Sequence, residues 1–217
     1  MIIAIDGPAG AGKSTVARIL AKKLGFLYVD TGAMYRALTL KILENNVAIS
    51  DELQINALAQ KVRIDLRNNA DGSLSVILDG RDVSLEIRQA RITQFVSDVA
   101  KIKTVRQALV AMQRELGARG DCVLDGRDIG TVVFPDARKK FFIDASKGVR
   151  VDRRFKELKG LSQDVAINDV EKDLSNRDKI DSTREASPLR CAPDAVYIDT
   201  TDLSIEQVVD KMLGFIK

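Results

Sequence analysis

An α/β fold with a parallel sheet covered on both faces is what this sequence predicts, on three observations. Short apolar runs at residues 2–5, 26–29, 122–124, 140–143 and 196–198 alternate with segments of helical periodicity, the pattern of strands buried by crossover helices. The first run leads directly into a glycine-rich stretch, residues 7–14 (GPAGAGKS), with a helical pattern behind it. Polar residues gather where the runs end, at 7–14, 30–32, 125–128 and 144. Ligands of such sheets bind beyond the carboxyl ends of the strands, so these segments should meet in one cleft.

After the glycine-rich stretch, Val16, Ile19, Leu20 and Leu24 recur at helical spacing, and Gly25 ends that helix. Residues 26–29 make the second strand. A helix carrying Met34, Leu38, Ile42 and Leu43 on one face follows, stopping at Asn45 and Asn46. Residues 51–60 form a weaker helix. Between 61 and 82 the period changes to two: Val62, Ile64 and Leu66 alternate, residues 68–72 turn the chain, then Leu74, Val76 and Leu78 alternate before Asp79 and Gly80 turn it again. This predicts a small antiparallel hairpin or three-stranded sheet, inserted without needing to join the main sheet. Residues 84–100 and 104–116 read as helices, 131–135 as a loop, and 140–143 as a strand ending in Asp144. Two charged helices, about 147–159 and 165–180, are separated by a break at 160–162, and residues 181–195 are irregular. The strand at 196–198 precedes a closing amphipathic helix capped by Ser204, with Ile205, Val208, Val209, Met212 and Leu213 as its apolar set.

The 217 residues suffice for one domain with insertions or two small ones. Histidine is absent, which excludes Ser-His-Asp hydrolysis, His-based zinc sites and His general acid–base chemistry. Cys122 and Cys191 are far apart and lack metal-ligand spacing, as in a reducing compartment. A net charge of +3 gives no argument for nucleic acid. No apolar run reaches bilayer-spanning length, and the first strand begins at Ile2 without room for a signal peptide. The expectation is a cytoplasmic protein with neither nucleic-acid nor membrane partners.

Residues 7–14 fit G-x-x-x-x-G-K-[ST], a phosphate-binding loop between a strand and a helix. Its glycines let a phosphate approach the main chain, and its N–H groups form an anion nest at a helix start. The nucleotide-binding segment is thus Gly7, Pro8, Ala9, Gly10, Ala11, Gly12, Lys13, Ser14 and Thr15, with Lys13 for the β- and γ-phosphates and the Ser14 hydroxyl for Mg²⁺.

Together with that loop, residues 30–36 (DTGAMYR), 125–136 (DGRDIGTVVFPD) and 177–189 resemble bacterial cytidylate kinases. The resemblance runs from the first strand to the last helix, and 125–136 is its most specific part. It implies a P-loop kinase of the nucleoside monophosphate kinase fold, with a five-stranded parallel core, a monophosphate-binding region and a lid. Within this single domain the core would comprise 1–30, 101–146 and 190–217, the monophosphate-binding region with its inserted sheet 31–100, and the lid 147–189. The implied activity is phosphorylation of CMP and dCMP by ATP with Mg²⁺, in a monomer.

Carried over residue by residue, Arg36, Arg127 and Arg184 match positions that hold the acceptor's phosphate, which suits the bidentate, permanently charged guanidinium. Ser97, Arg106 and Asp128 match cytosine contacts, Arg177 and Asp181 ribose contacts, and Thr31 a position near the acceptor that is often serine. Arg150, Arg153 and Arg154 fall in the lid. Transfer itself would rest on Lys13, Arg127, Asp128, Arg150, Arg154 and Arg184, with Ser14 as the protein's metal ligand. Position alone also allows Arg36 as a solvated helix residue and Thr31 as a helix N-cap. If the helix continues, Arg177, Asp181 and Arg184 share a face, as an i,i+4 ion pair would also explain. Asp125 could end its strand as a Walker B aspartate or form an Asp-Gly turn. Other functions compatible with the loop are a small P-loop kinase for another monophosphate or metabolite, and a nucleotide switch or ATPase. The guanine-reading N-K-x-D and the switch D-x-x-G of a GTPase do not occur in the chain.

Overall fold

The structure, a computed structural model, describes residues 1–160 and 164–216. From the N-terminus, β1 (Ile2–Asp6) feeds the glycine-rich loop and α1 (Lys13–Leu24), and β2 (Leu27–Asp30) feeds α2 (Thr31–Glu44) and α3 (Glu52–Lys61). The inserted segment contains β3 (Ile64–Asn68), β4 (Leu74–Leu78) and β5 (Arg81–Asp82), and α4 (Ala90–Lys101) and α5 (Lys103–Gly117) follow. Next come β6 (Cys122–Gly126), β7 (Lys139–Asp144), α6 (Lys147–Gly160), α7 (Ile167–Thr183), β8 (Val196–Asp199) and α8 (Ile205–Ile216).

Five strands form one sheet in the order β2-β6-β1-β7-β8, every pairing parallel. Strand alternation divides the core. Ala4, Val29, Cys122 and Leu124 face α2, α4, α5 and the inserted sheet, while Ile3, Ile5, Val123, Phe141, Ile143 and Ile198 face α1 and α8. A third, small cluster joins Val151 and Leu158 of α6 and Val170 and Leu174 of α7 to Ala9 of the loop. Ser204 forms a capping box with Gln207, its Oγ accepting the Gln207 N–H at 3.2 Å while its own N–H donates to Gln207 Oε1 at 2.8 Å.

The expected insertion is a separate three-stranded antiparallel sheet, β3-β4-β5. It is tied to the main sheet's edge by the Asn68 carboxamide, which accepts the Tyr28 N–H and donates to the Tyr28 carbonyl, both at 3.1 Å.

Elsewhere the chain departs from expectation. Residues 84–100 are not one helix: Glu86–Arg88 is a short 3₁₀ turn, and Gln89 is extended (φ −62°, ψ 150°) before α4 begins. Ser84 is diverted to the inserted sheet, where its Oγ accepts the Val76 N–H at 2.9 Å. Residues 131–135, expected as a loop, overlap a π turn, Ile129–Val133, closed by the Phe134 N–H donating to the Ile129 carbonyl at 2.8 Å. The second charged helix runs past 180 to Thr183, and Arg184 steps off it at ψ 142°. At the expected break at 160–162, Gly160 is the last residue of α6; Leu161 and Ser162 lie outside the described residues.

Candidate active site

The carboxyl ends of β1, β2 and β6 open onto a cleft of about 560 Å³ lined by loop residues 9–15, α2, α6 and α7. Gly7, at φ +147°, passes so close to β7 that a Cβ there would stand 1.9 Å from the Ile143 carbonyl oxygen. Gly12 takes the left-handed conformation (φ 89°) and opens α1, so that the loop's N–H groups lie at a helix start. Lys13 is buried, and its ammonium donates to the Pro8 carbonyl at 2.6 Å. Burial lowers its pKa and Arg127 lowers it further, with Asp125 opposing.

Asp125 lies inside β6, paired in register with Asp30 and Ile5, which rules out the turn-forming alternative. Its carboxylate accepts the Ser14 hydroxyl and the Tyr28 phenol, both at 2.8 Å. Burial and then the Asp30 charge push its pKa up, against Lys13 and the two hydroxyls. Asp30, not Thr31, caps α2, accepting the Ala33 N–H at 2.9 Å. The Thr31 hydroxyl is buried and donates to the Asp125 carbonyl at 2.7 Å.

Behind this wall lies a chain of alternating charges drawn from three segments. Arg127 donates to Asp181 at 2.8 Å, Asp181 is 3.4 Å from Arg184, and Arg184 is 3.7 Å from Asp128. Asp128 in turn accepts from Arg106 at 2.5 Å, and the Arg106 guanidinium lies 5.3 Å from the Tyr35 ring centroid. Burial raises the Asp181 carboxyl, but Arg127 and Arg184 outweigh it and hold the group below the ordinary carboxylate range. Ser97 is buried on α4. Arg177 pairs with Asp173 at 3.8 Å, so the expected face of α7 does not form a pair between Arg177 and Asp181.

Arg36 is not a solvated residue: it lines the cleft and donates to Thr93 Oγ1 at 2.8 Å. Burial, then Arg177 and Arg154, lower its pKa. Of the three α6 arginines, Arg153 and Arg154 line the cleft. Arg150 turns inward instead, donating to the Ala9 carbonyl at 3.0 Å and to Asp178 at 2.6 Å, and so ties α6 and α7 to the phosphate-binding loop.

Four participants were not singled out from the sequence. From the sequence Tyr28 is only a strand residue and Asp178 only a helix residue. Asp6 carries no signal beyond its place before Gly7, yet it is buried and accepts two backbone N–H groups from residues 129 and 130. Arg88, which lines the cleft, fell inside the helix wrongly expected at 84–100. Eight Lys or Arg side chains among the described residues line the cleft against three carboxylates. Among the described residues, Arg106 Nε, Arg154 Nε, Arg177 Nε and Arg184 Nη2 are buried with no hydrogen-bond partner.

Comparison with known proteins agrees with this architecture. The sequence profile of the family described as cytidylate kinase matches residues 3–217. The chain is 50% identical over 216 residues to a cytidylate kinase of Carboxydothermus hydrogenoformans, covering 100% of this chain and 97% of that protein. It is 52% identical over 215 residues to one of Caldanaerobacter subterraneus subsp. tengcongensis, covering 99% and 94%. Among solved structures, a gluconokinase from Sinorhizobium meliloti 1021 aligns at TM-score 0.50 and 13% identity over 98% of this chain and 89% of that one, a likeness of fold alone. With a profile match along almost its whole length and half its residues shared with full-length relatives, the chain belongs to the cytidylate kinase family.

Proposed function

We propose that this protein transfers the γ-phosphoryl group of ATP to CMP and dCMP. The observation that carries the reading is the cleft at the phosphate-binding loop, where eight cationic side chains face three carboxylates. Such an excess suits two phosphate-bearing ligands held end to end, and phosphoryl transfer depends mainly on positioning and charge stabilisation. Absence of histidine is no obstacle, because an acceptor phosphate with a second pKa of about 6 is already nucleophilic at neutral pH.

On the donor side, Lys13 would leave the Pro8 carbonyl for the β- and γ-phosphates, and the N–H groups of residues 7–15 would surround them. Ser14 and Asp125 place hard oxygen donors 2.8 Å apart beside the loop, a donor set that fits Mg²⁺. Among the described residues no cluster of three or more His, Cys, Asp or Glu would hold a metal, so phosphate and water oxygens would complete the shell, as Mg²⁺ prefers. When bound, the ion would offset charge on the phosphate oxygens.

On the acceptor side, Arg36, Arg127 and Arg184 would hold the monophosphate, Ser97, Arg106 and Asp128 the cytosine, and Arg177 and Asp181 the ribose, with Thr31 fixing Asp125 beside them. One acceptor oxygen bonds to the γ-phosphorus as its bond to the ADP oxygen breaks. Lys13, Arg127 and the lid residue Arg154 would spread the charge, and Arg150 would hold the lid helices, residues 147–189, against the loop. Closure excludes water, the competing acceptor. The reading includes a cytoplasmic monomer without nucleic-acid or membrane partners; among the described residues no helix is long and apolar enough to cross a membrane.

A coupled ADP-release assay with ATP and Mg²⁺ tests this, offering CMP, dCMP, UMP, AMP and GMP separately. Turnover should favour CMP and dCMP. Preference for UMP, AMP or GMP would remove the base assignment, and ATP hydrolysis indifferent to every acceptor would remove the kinase.

A further inference from the structure

Asp128 is the residue from which the π turn Ile129–Val133 starts, and aspartate is among the best capping residues, yet its side chain makes no capping hydrogen bond. The cap comes from the far end of another strand. Asp6 accepts the Ile129 N–H through Oδ1 and the Gly130 N–H through Oδ2, both at 2.8 Å. These are the first N–H groups of the turn, which lack partners inside it. The Asp128 carboxylate meanwhile meets Arg106 at 2.5 Å and Arg184 at 3.7 Å. We propose that Asp6 is a specificity-determining positioning residue: by capping the turn in place of Asp128, it keeps the Asp128 carboxylate turned toward the acceptor's base. This rests on the proposed reading of the base by Asp128.

The packing supports it. Asp6 is 4% exposed, so water does not compete for its oxygens. A Cβ at Gly130 would stand 3.1 Å from Lys140 Cδ and 3.4 Å from Asp6 Oδ2, so the turn is seated directly on both. Asp128 and Lys13 face Asp6 electrostatically, with Cys191 and Lys140 beside them. Burial pushes the Asp6 carboxyl up to about 6, opposed by its two N–H donors and Lys13 and aided by Asp128. Below that value a protonated Asp6 gives up one of its two acceptor oxygens, and the cap weakens.

The test is the ratio of kcat/KM for CMP to that for UMP at saturating ATP, in which the ionisation of the acceptor phosphate cancels. Asp6→Asn, which presents an amide to one of the two N–H groups, should lower the ratio about tenfold, mostly through KM for CMP, with KM for ATP changed by less than about twofold. The wild-type ratio should fall between about pH 7.5 and about pH 5.5, and the variant's should stay flat. Asp128→Asn is the control: if it leaves the ratio unchanged, the base-reading role of Asp128 is wrong. If it lowers the ratio while Asp6→Asn does not, or if Asp6→Asn raises both KM values alike, the cap proposal alone is overturned. The double variant should be no worse than Asp128→Asn; additive losses would overturn the coupling. Should Asp6→Asn not fold, Asp6→Ser is read by the same ratio, and an unchanged ratio sinks the proposal.

Discussion

The proposed donor and acceptor sides of the site are built on opposite plans. The donor side is mostly backbone: a glycine-rich loop held in place by glycine conformations, a helix start, and one lysine that rests on the loop's own Pro8 carbonyl. The acceptor side is mostly side chain: Arg106, Asp128, Arg184, Asp181 and Arg127 alternate in sign, already paired to one another. A backbone nest is ready before its ligand arrives and is specified locally. A paired network must exchange protein partners for ligand partners, and it ties acceptor recognition to the stability of the fold.

Substitutions should separate the two plans. Lys13→Met removes donor-side charge and leaves only the neutral Pro8 carbonyl without its donor, with no charged hydrogen-bond partner stranded. It should lower kcat by on the order of 10³-fold, while CMP affinity measured by titration calorimetry and the urea midpoint stay near wild type. A comparable loss of CMP affinity would show that the two sides are not separable.

Arg184→Ala should do the reverse. It takes a shared cation from buried Asp128 and Asp181, which keep Arg106 and Arg127, so the loss should be about 1–3 kcal/mol. Urea denaturation should show a loss of that order, and KM for CMP should rise far more than KM for ATP. Unchanged stability would mean that the network is not a structural unit.

The pH dependence of stability distinguishes the carboxylates. Asp6, buried and raised to about 6, binds its proton more tightly in the folded state than in the unfolded one, where the value is near 3.8. Its contribution therefore grows as pH falls from above 6 toward 4, by roughly 3 kcal/mol across that window. Asp181, held below the ordinary range, acts oppositely: its stabilisation is present above the unfolded pKa and is lost as pH falls through the folded value. Thermal unfolding of wild type and Asp6→Asn from pH 7.5 to 4 should give a difference that favours wild type increasingly toward acid. A constant difference would remove the buried-charge account of Asp6.

The same contrast explains what the sequence made legible. The loop, the strands behind it and the capping box at Ser204 are local patterns, readable from spacing. Asp125 was ambiguous because Asp-Gly usually turns, and only register with Asp30 and Ile5 keeps it in β6. Arg106 and Asp128 are 22 residues apart, and Arg127 and Asp181 54; neither pairing has a local signature, and while the strand end pointed to residues 125–128, resemblance alone pointed to Arg106 and Asp181. Asp6 is the extreme case. It stands beside the most legible motif in the chain, yet its partners are 123 and 124 residues away. Residues 84–100 misled for a related reason: helical spacing was present, but Ser84 is engaged by the inserted sheet.

That inserted sheet provides the smallest test, and one that crosses the boundary between the plans. Asn68 holds both backbone groups of Tyr28, the Tyr28 phenol donates to Asp125, and Asp125 accepts from Ser14. A side-chain relay of this kind is the acceptor side's way of building, here supporting the donor loop. Asn68→Ala removes two hydrogen bonds at a part-buried sheet edge and should cost about 1–2 kcal/mol in urea denaturation. Water can reach the freed edge, so the relay should loosen without breaking, and kcat should fall only about two- to fivefold with KM for CMP unchanged. Stability lost with no change in kcat would confine Asn68 to holding the insertion in place, and the donor loop would then owe its geometry to backbone alone.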